Sequence, residues 1–425
     1  MNRCPVVHDH AGRTCPVHDG FTMMDPVFLA DPYAVFRDLR AEPVFFAPEL
    51  DAYVVTRFAE IDEVMSHPER FSSSITLTPL TTPSAEAQAI LADADYHRPP
   101  NLINADAPRH TMVRKFVQEA MSPRRLRALE PVVREWASEQ IDRMIGMGRA
   151  DVVAELAFPL PALTGFQLLG FPVDDLEMLK SWCADRVEFT YGRATPEEHV
   201  RVATNVAAFW RYTNDFVAAR IADPVDDVAS DLARRHLEAP ETFTPRDVAT
   251  VLFEMAVASH ETTTNLLTNG LRRLLEHREQ WEALVAEPTL IPNAIEECLR
   301  YDGSVVGWRR RVVADTELGG VTVPAESTVI VLLASANRDP SRFDDPERFD
   351  VRRTEARKHM TFGKGVHFCQ GAPLARMEIR VCLEEMVARA PQVALVPDQE
   401  FHFVPNIVMR GPSSLWLDFA PIAVA

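Results

Sequence analysis

Over residues 124–238 apolar positions recur with the spacing of helices that bury one face. The pattern breaks near Pro159-Leu160-Pro161, Gly170-Phe171-Pro172 and Arg193-Ala194-Thr195-Pro196, where proline and glycine interrupt the backbone ladder. Pro32 to Leu39 reads as a short amphipathic helix. Ala52 to Thr56 reads as a strand, reached from Pro43-Val44-Phe45-Phe46 through an acidic turn, and Val329–Leu333 as a buried strand. Residues 72–105 are rich in Ser, Thr, Pro and Ala with little regular period. They predict a long, partly mobile loop, and a loop of that length inside a compact domain usually serves function.

Pro245 to Glu276 predicts one long helix with Thr244 as its N-cap. Inside its apolar run stand Glu261, Thr262, Thr263 and Thr264. Threonine hydroxyls compete for backbone carbonyls and bend helices, so such a run is locally costly. Local rules broken inside a strong element mark a functional site. A further helix is expected over Ile291–Arg300, with Glu297 and Arg300 one turn apart. The fold class is mainly α with a small β region.

At 425 residues and 47% hydrophobic content, the chain can bury a large core. A flexible tail over 1–22 and a single domain over 23–425 are expected. Lys+Arg 44 against Asp+Glu 62 leaves a net charge of −18, which argues against nucleic acid and anionic membrane as partners. No apolar run has the length of a membrane span and no signal segment opens the chain, so a soluble cytoplasmic protein, monomeric, is expected. The six cysteines have no framework spacing, as in a reducing compartment. Cys4, His8, Cys15 and His18 could gather a metal, but no apolar residues surround them to fix their geometry, so the tail reading is preferred.

The chemistry concentrates in Phe362-Gly363-Lys364-Gly365-Val366-His367-Phe368-Cys369-Gln370-Gly371, followed by the helix-forming run Ala372-Pro373-Leu374-Ala375-Arg376-Met377-Glu378. Cys369 therefore stands just ahead of a helix N-terminus, whose unpaired N–H groups and dipole favour thiolate. Such a thiolate is either a nucleophile or a metal ligand. A lone cysteine cannot build a zinc site, but it suits an iron that already has four porphyrin ligands.

Phe362, Gly363, Gly365, His367, Cys369 and Gly371 resemble the haem-binding signature of the cytochrome P450 superfamily, and the resemblance runs from about residue 25 to the C-terminus. It implies the cytochrome P450 fold, haem b as cofactor and Cys369 as axial thiolate. Asp106-Ala107-Pro108-Arg109-His110 with Arg114 is similar to the family's propionate-binding helix, which assigns His110 and Arg114 to a propionate. Arg310, counted back from Gly319-Gly320-Val321, and His367 fall on further propionate contacts. Glu261 and Thr262 match the acid–alcohol pair that relays protons to bound dioxygen, with Ser259 where the family usually has Gly. Glu297 and Arg300 match a buried structural pair whose third partner is expected to be Arg348.

The implied activity is insertion of one oxygen atom from O2 into an organic substrate, by hydroxylation or oxidative dealkylation. The expected lining, aliphatic and aromatic with no cationic clamp, predicts a small apolar or aromatic substrate. Ile295-Glu296-Glu297-Cys298-Leu299-Arg300 and Gly307-Trp308-Arg309-Arg310 look closest to the bacterial branch often fused to a flavin and iron–sulfur reductase. With the haem domain alone in this chain, electrons are expected from a separate ferredoxin or similar reductase system, meeting the thiolate side near Arg109, Lys364 and Arg376. A peroxide-using enzyme and a non-catalytic haem sensor or ligand-binding module are the rival classes.

Overall fold

In the computed structural model, residues 15–419 are described. The helix Pro245–Glu276 begins at a reciprocal capping box, in which the Thr244 hydroxyl accepts from the Asp247 N–H and the Asp247 carboxylate from the Thr244 N–H, with Pro245 in the first turn. Burial on nearly every face follows from its composition, since helices Pro159–Leu169, Leu176–Tyr191, Pro196–Ala222 and Ile291–Asp302 pack around it. The breaks expected from proline and glycine fall where helices change: Gly170 caps one helix in the left-handed region, and Thr195 caps the next with its own capping box.

The main sheet runs Val44–Ala47, Ala52–Val55, Thr328–Val331, Trp308–Val312, Phe71–Ser72. Only the pairing of Ala52–Val55 with Thr328–Val331 within it is parallel, in the register Val54↔Ile330. Val44–Ala47, Ala52–Val55 and Thr328–Val331 are buried along nearly their whole length and are near-continuous apolar runs.

Three expectations are corrected here. The supposed tail is anchored from residue 15 onward: Val17 pairs alongside Phe46, Phe46 N–H donates to Pro16 O at 2.8 Å, and His18 N–H to Phe46 O at 3.0 Å. The edge of the sheet offers unpaired groups that this short segment satisfies. His18 is engaged by Glu42 at 2.6 Å, while Cys4 and His8 lie outside the described residues. Second, the loop over 72–105 contains a helix, Ala85–Asp93, capped by Ser84 and packed on Pro196–Ala222. Only Ala87 of that helix is buried, so no apolar stripe announced it.

Third, the partner of the buried pair is Arg353, not Arg348. Glu297 and Arg300 are both fully buried and joined at 2.7 and 2.8 Å. Arg353 Nε reaches Glu297 Oε1 at 3.2 Å. Arg348 contributes its carbonyl, which accepts from Arg300 Nη2 at 3.0 Å and Arg353 Nη2 at 2.9 Å, while its side chain turns out to Asp350 at 3.5 Å. With carbonyls of Asn337 and Pro346 completing the Arg300 guanidinium, this network ties Ile291–Asp302 to the segment that leads into the cysteine loop.

A second buried carboxylate joins distant parts of the chain. Asp302 accepts from Tyr33 Oη at 2.8 Å, Arg273 Nε at 2.7 Å and Arg410 Nη1 at 2.7 Å. Arg410 also donates to the carbonyls of Leu29 and Ala30, each at 2.8 Å.

Candidate active site

The cysteine loop is a hairpin closed by Gly363 N–H to Met360 O at 2.8 Å and Cys369 N–H to Phe362 O at 2.9 Å. Gly365 takes a φ of 68°, and a Cβ there would stand 2.6 Å from Met65 O, so the close approach of the neighbouring helix requires glycine. Helix Ala372–Arg389 starts immediately beyond, with Gly371 at its cap. Cys369 is solvent-accessible and lines a cavity of about 270 Å³. Burial pushes its thiol up, opposed by the N–H groups of Gly371 and Ala372 and by Arg114 and Arg376. The helix-end argument from sequence identified the N–H groups but neither the two arginines nor the desolvation that outweighs them. A bound metal would favour loss of the thiol proton, because the thiolate is the ligand form.

Four basic side chains from separated segments converge on one rim of the cavity. The rings of His110 and His367 lie 4.1 Å apart, and His367 Nε2 meets Ser73 Oγ at 2.9 Å. Arg310 is buried in the strand Trp308–Val312, and its Nη1 donates to the carbonyl of the adjacent Arg309 at 2.9 Å. Arg114 donates to Phe368 O at 2.8 Å and so is fastened to the cysteine loop. Burial lowers both histidines, His367 to about 3, with Arg310 and His110 adding to the effect on His367. His110 Nε2 is buried without a partner among the described residues. Clustered cations and an orphaned buried nitrogen are the environment that two carboxylates would complete, so this rim fits haem propionates.

Ala258, Ser259, Thr262 and Thr263 also line the cavity. Thr262 Oγ1 donates to Ala258 O at 2.9 Å, one turn back. Ser259 Oγ donates to Ala256 O at 3.1 Å and packs on Gly165, where a Cβ would stand 2.2 Å from that oxygen. Glu261 does not line the cavity with Thr262: successive helical residues point about 100° apart. It lies beside Asn265 and toward Cys183, and burial raises its carboxyl.

Sequence reasoning missed three cavity residues. Glu378, on the helix after Cys369, has neither carboxylate oxygen hydrogen-bonded among the described residues, and burial holds it well above the usual range. An acid among Leu374, Ala375, Ile379 and Cys382 was the available signal. Arg186 and Glu254 also line the cavity, joined at 3.0 Å, so the lining is not purely aliphatic and aromatic as expected. The three cations expected to greet an electron donor are each paired: Arg109 with Asp247 at 2.5 Å, Lys364 with Asp62, and Arg376 with Glu296 at 2.7 Å. They make no uncompensated positive patch.

The fold and this arrangement of thiol, basic rim and threonine wall define a haem-thiolate protein, and residues 178–402 match the cytochrome P450 family. The chain belongs to the cytochrome P450 family, whose cofactor is haem b, and it is an enzyme of the monooxygenase class. It is 37% identical over 396 residues to the cytochrome P450 monooxygenase PikC of Streptomyces venezuelae, covering 91% of each chain. Among solved structures it superposes with a TM-score of 0.92 and 39% identity on an intact type IV self-sufficient cytochrome P450 monooxygenase, covering 99% of this chain and 55% of that one. Cytochrome P450 CREJ in complex with (4-ethylphenyl) dihydrogen phosphate gives a TM-score of 0.91 at 35% identity, covering 94% of this chain and 99% of that one. No helix among the described residues is long and apolar enough to cross a membrane.

Proposed function

We propose that the chain oxygenates an organic substrate with a largely apolar body, with Cys369 as the iron ligand and electrons from a ferredoxin-type donor. The observation that carries this reading is that Cys369 and Thr262 line one cavity. His110, Arg114, Arg310 and His367 hold the propionates. When bound, the haem supplies dioxygen activation, using two electrons and two protons per oxygen atom inserted.

This chain's residues govern the protons. Thr262 Oγ1 rests on the Ala258 carbonyl and presents a hydroxyl at the cavity wall. Glu261 keeps its proton to higher pH than an exposed carboxyl, and it serves as a store one residue behind that hydroxyl. The apolar wall, including Leu77, Leu266 and Val305, excludes bulk water that would otherwise compete as proton source. The donor docks on the outer face of the cysteine loop, where Val366 is exposed, by contact more than by long-range charge.

Cys369→Ala tests the ligand: the reduced carbon monoxide complex should lose its thiolate-type spectrum, and persistence of that spectrum rejects the assignment. Thr262→Ala tests the relay. Electron consumption should continue while product falls and peroxide appears; coupling equal to the parent rejects a proton role and favours the sensor or peroxide-using class.

A further inference from the structure

The cavity wall away from the basic rim carries charge that the proton relay does not use. Arg186, from helix Leu176–Tyr191, is 2% exposed and lines the cavity. Its Nη2 donates to Glu254 Oε1 at 3.0 Å, and its Nε has no partner among the described residues. Arg98, from the segment after the helix Ala85–Asp93, pairs with the same Glu254 oxygen. Arg309 stands near Tyr191, its Cζ 5.9 Å from the ring; its Nη2 donates to the carbonyls of Thr76 and Thr78, and its Nε has no partner among the described residues. Tyr191, itself a cavity residue, feels all three guanidiniums.

The surrounding acids do not balance this charge. Asp185 and Glu188, on the same helix as Arg186, are both taken by Arg201. Asp95 is taken by Arg246. Two guanidiniums, Arg186 and Arg98, therefore share one carboxylate, Glu254, with Arg309 beside Tyr191 adding further positive charge, in a setting where a buried unpaired charge is costly. A buried arginine with an unused N–H edge, open to the substrate cavity, is the donor set that carboxylates and phosphates take up in a fork.

We propose that this end of the cavity is an acid-recognition site. The Arg186 guanidinium, held beside Glu254 and backed by Arg98, binds the carboxylate or phosphate head of an amphipathic organic substrate whose apolar body extends toward the Cys369 side. The inference rests on the monooxygenase reading and narrows its substrate class from apolar molecules to organic anions. Glu254 acts as a placeholder counter-charge. It keeps the two arginines folded inward, and it limits affinity because it competes with the incoming head group for the same donors.

The test is the low-to-high-spin shift of the ferric holoenzyme, titrated with two matched pairs: decanoate against decanol, and 4-ethylphenyl phosphate against 4-ethylphenol. The parent should bind at least one anion roughly tenfold or more tightly than its neutral partner, the range expected for charge-assisted hydrogen bonds. Which pair shows the preference identifies a carboxylate or a phosphate head. Arg186→Gln should collapse that ratio toward one. Glu254→Gln should tighten anion binding severalfold, a gain that misfolding cannot produce. A ratio near one or below in the parent for both pairs, or failure of both anions to bind, overturns the proposal, as does an Arg186→Gln ratio equal to the parent's. The thiolate-type carbon monoxide spectrum, recorded on every variant, separates the two readings: its absence in the parent rejects the haem-thiolate assignment, whereas its presence with no anion preference rejects the acid site alone.

Discussion

Gly165 and Ser259 form a matched contact between two helices, and the match can be broken deliberately. In Gly165→Ala the new Cβ would lie 2.2 Å from Ser259 Oγ and 2.7 Å from Ser259 Cβ. Rotating the hydroxyl relieves the first clash but not the second, so the helices must part. Over-packing of this kind costs about 1–3 kcal/mol. Alanine recovers about 0.5–1 kcal/mol over glycine inside a helix, leaving a net loss of about 0.5–2 kcal/mol. Ser259→Gly removes both clashing atoms, so Gly165→Ala should be tolerated in that background. The double-mutant cycle should then show a coupling of about 1 kcal/mol or more, well outside additivity for independent sites. Urea denaturation followed by circular dichroism measures the cycle. Electron-to-product coupling gives a second readout, because Ser259 and Thr262 share the cavity wall and a displaced helix shifts both. Additive single effects, or a Gly165→Ala protein as stable as the parent, would refute the reasoning.

Arg353→Ala removes a partner of the buried Glu297 and should destabilise by about 1–3 kcal/mol, whereas Arg348→Ala, which keeps its carbonyl, should stay within about 0.5 kcal/mol of the parent; equal effects in denaturant titrations would contradict the observed network. Arg310→Gln should speed haem loss to apomyoglobin roughly tenfold or more, the loss expected for a hydrogen bond to a charged group, and an unchanged rate would remove Arg310 from the rim. Burial pushes the Glu296 carboxyl up, but hydrogen bonds with His359 and Arg376 outweigh it and hold the group at about 2. A depressed carboxylate stabilises above its unfolded value of about 4.5 and loses that contribution as pH falls toward 2. Glu296→Gln should therefore flatten the stability curve across that window, and an acid limb as steep as the parent's would show that other groups set it.

What the sequence disclosed depended on whether a feature is contiguous. The Phe362–Gly371 loop carries its turn glycines, its thiol and its helix start within one stretch, so its chemistry could be read directly. Helix Pro245–Glu276 had a cap, a period and an anomalous threonine run. Arg310 and His110 are ordinary basic residues until the strand and helix that carry them meet, and only the family resemblance placed them together. Arg353 and Arg348 are five apart in a segment without period, so spacing could not choose between them. Arg186 and Glu254 lie on two helices 68 residues apart, and each alone resembles a solvated charge. Helix Ala85–Asp93 lies outside the core and lacks the apolar stripe by which helices are recognised.

Asp302 has a bearing on the order of events during synthesis. One of its two neutralising arginines, Arg410, also clasps the Leu29 and Ala30 carbonyls, so this fastening of an early helix waits until residue 410 has left the ribosome. Nascent intermediates must carry a half-neutralised acid and two uncapped carbonyls, and premature stop codons just upstream of position 410 would leave that seam open for proteolysis.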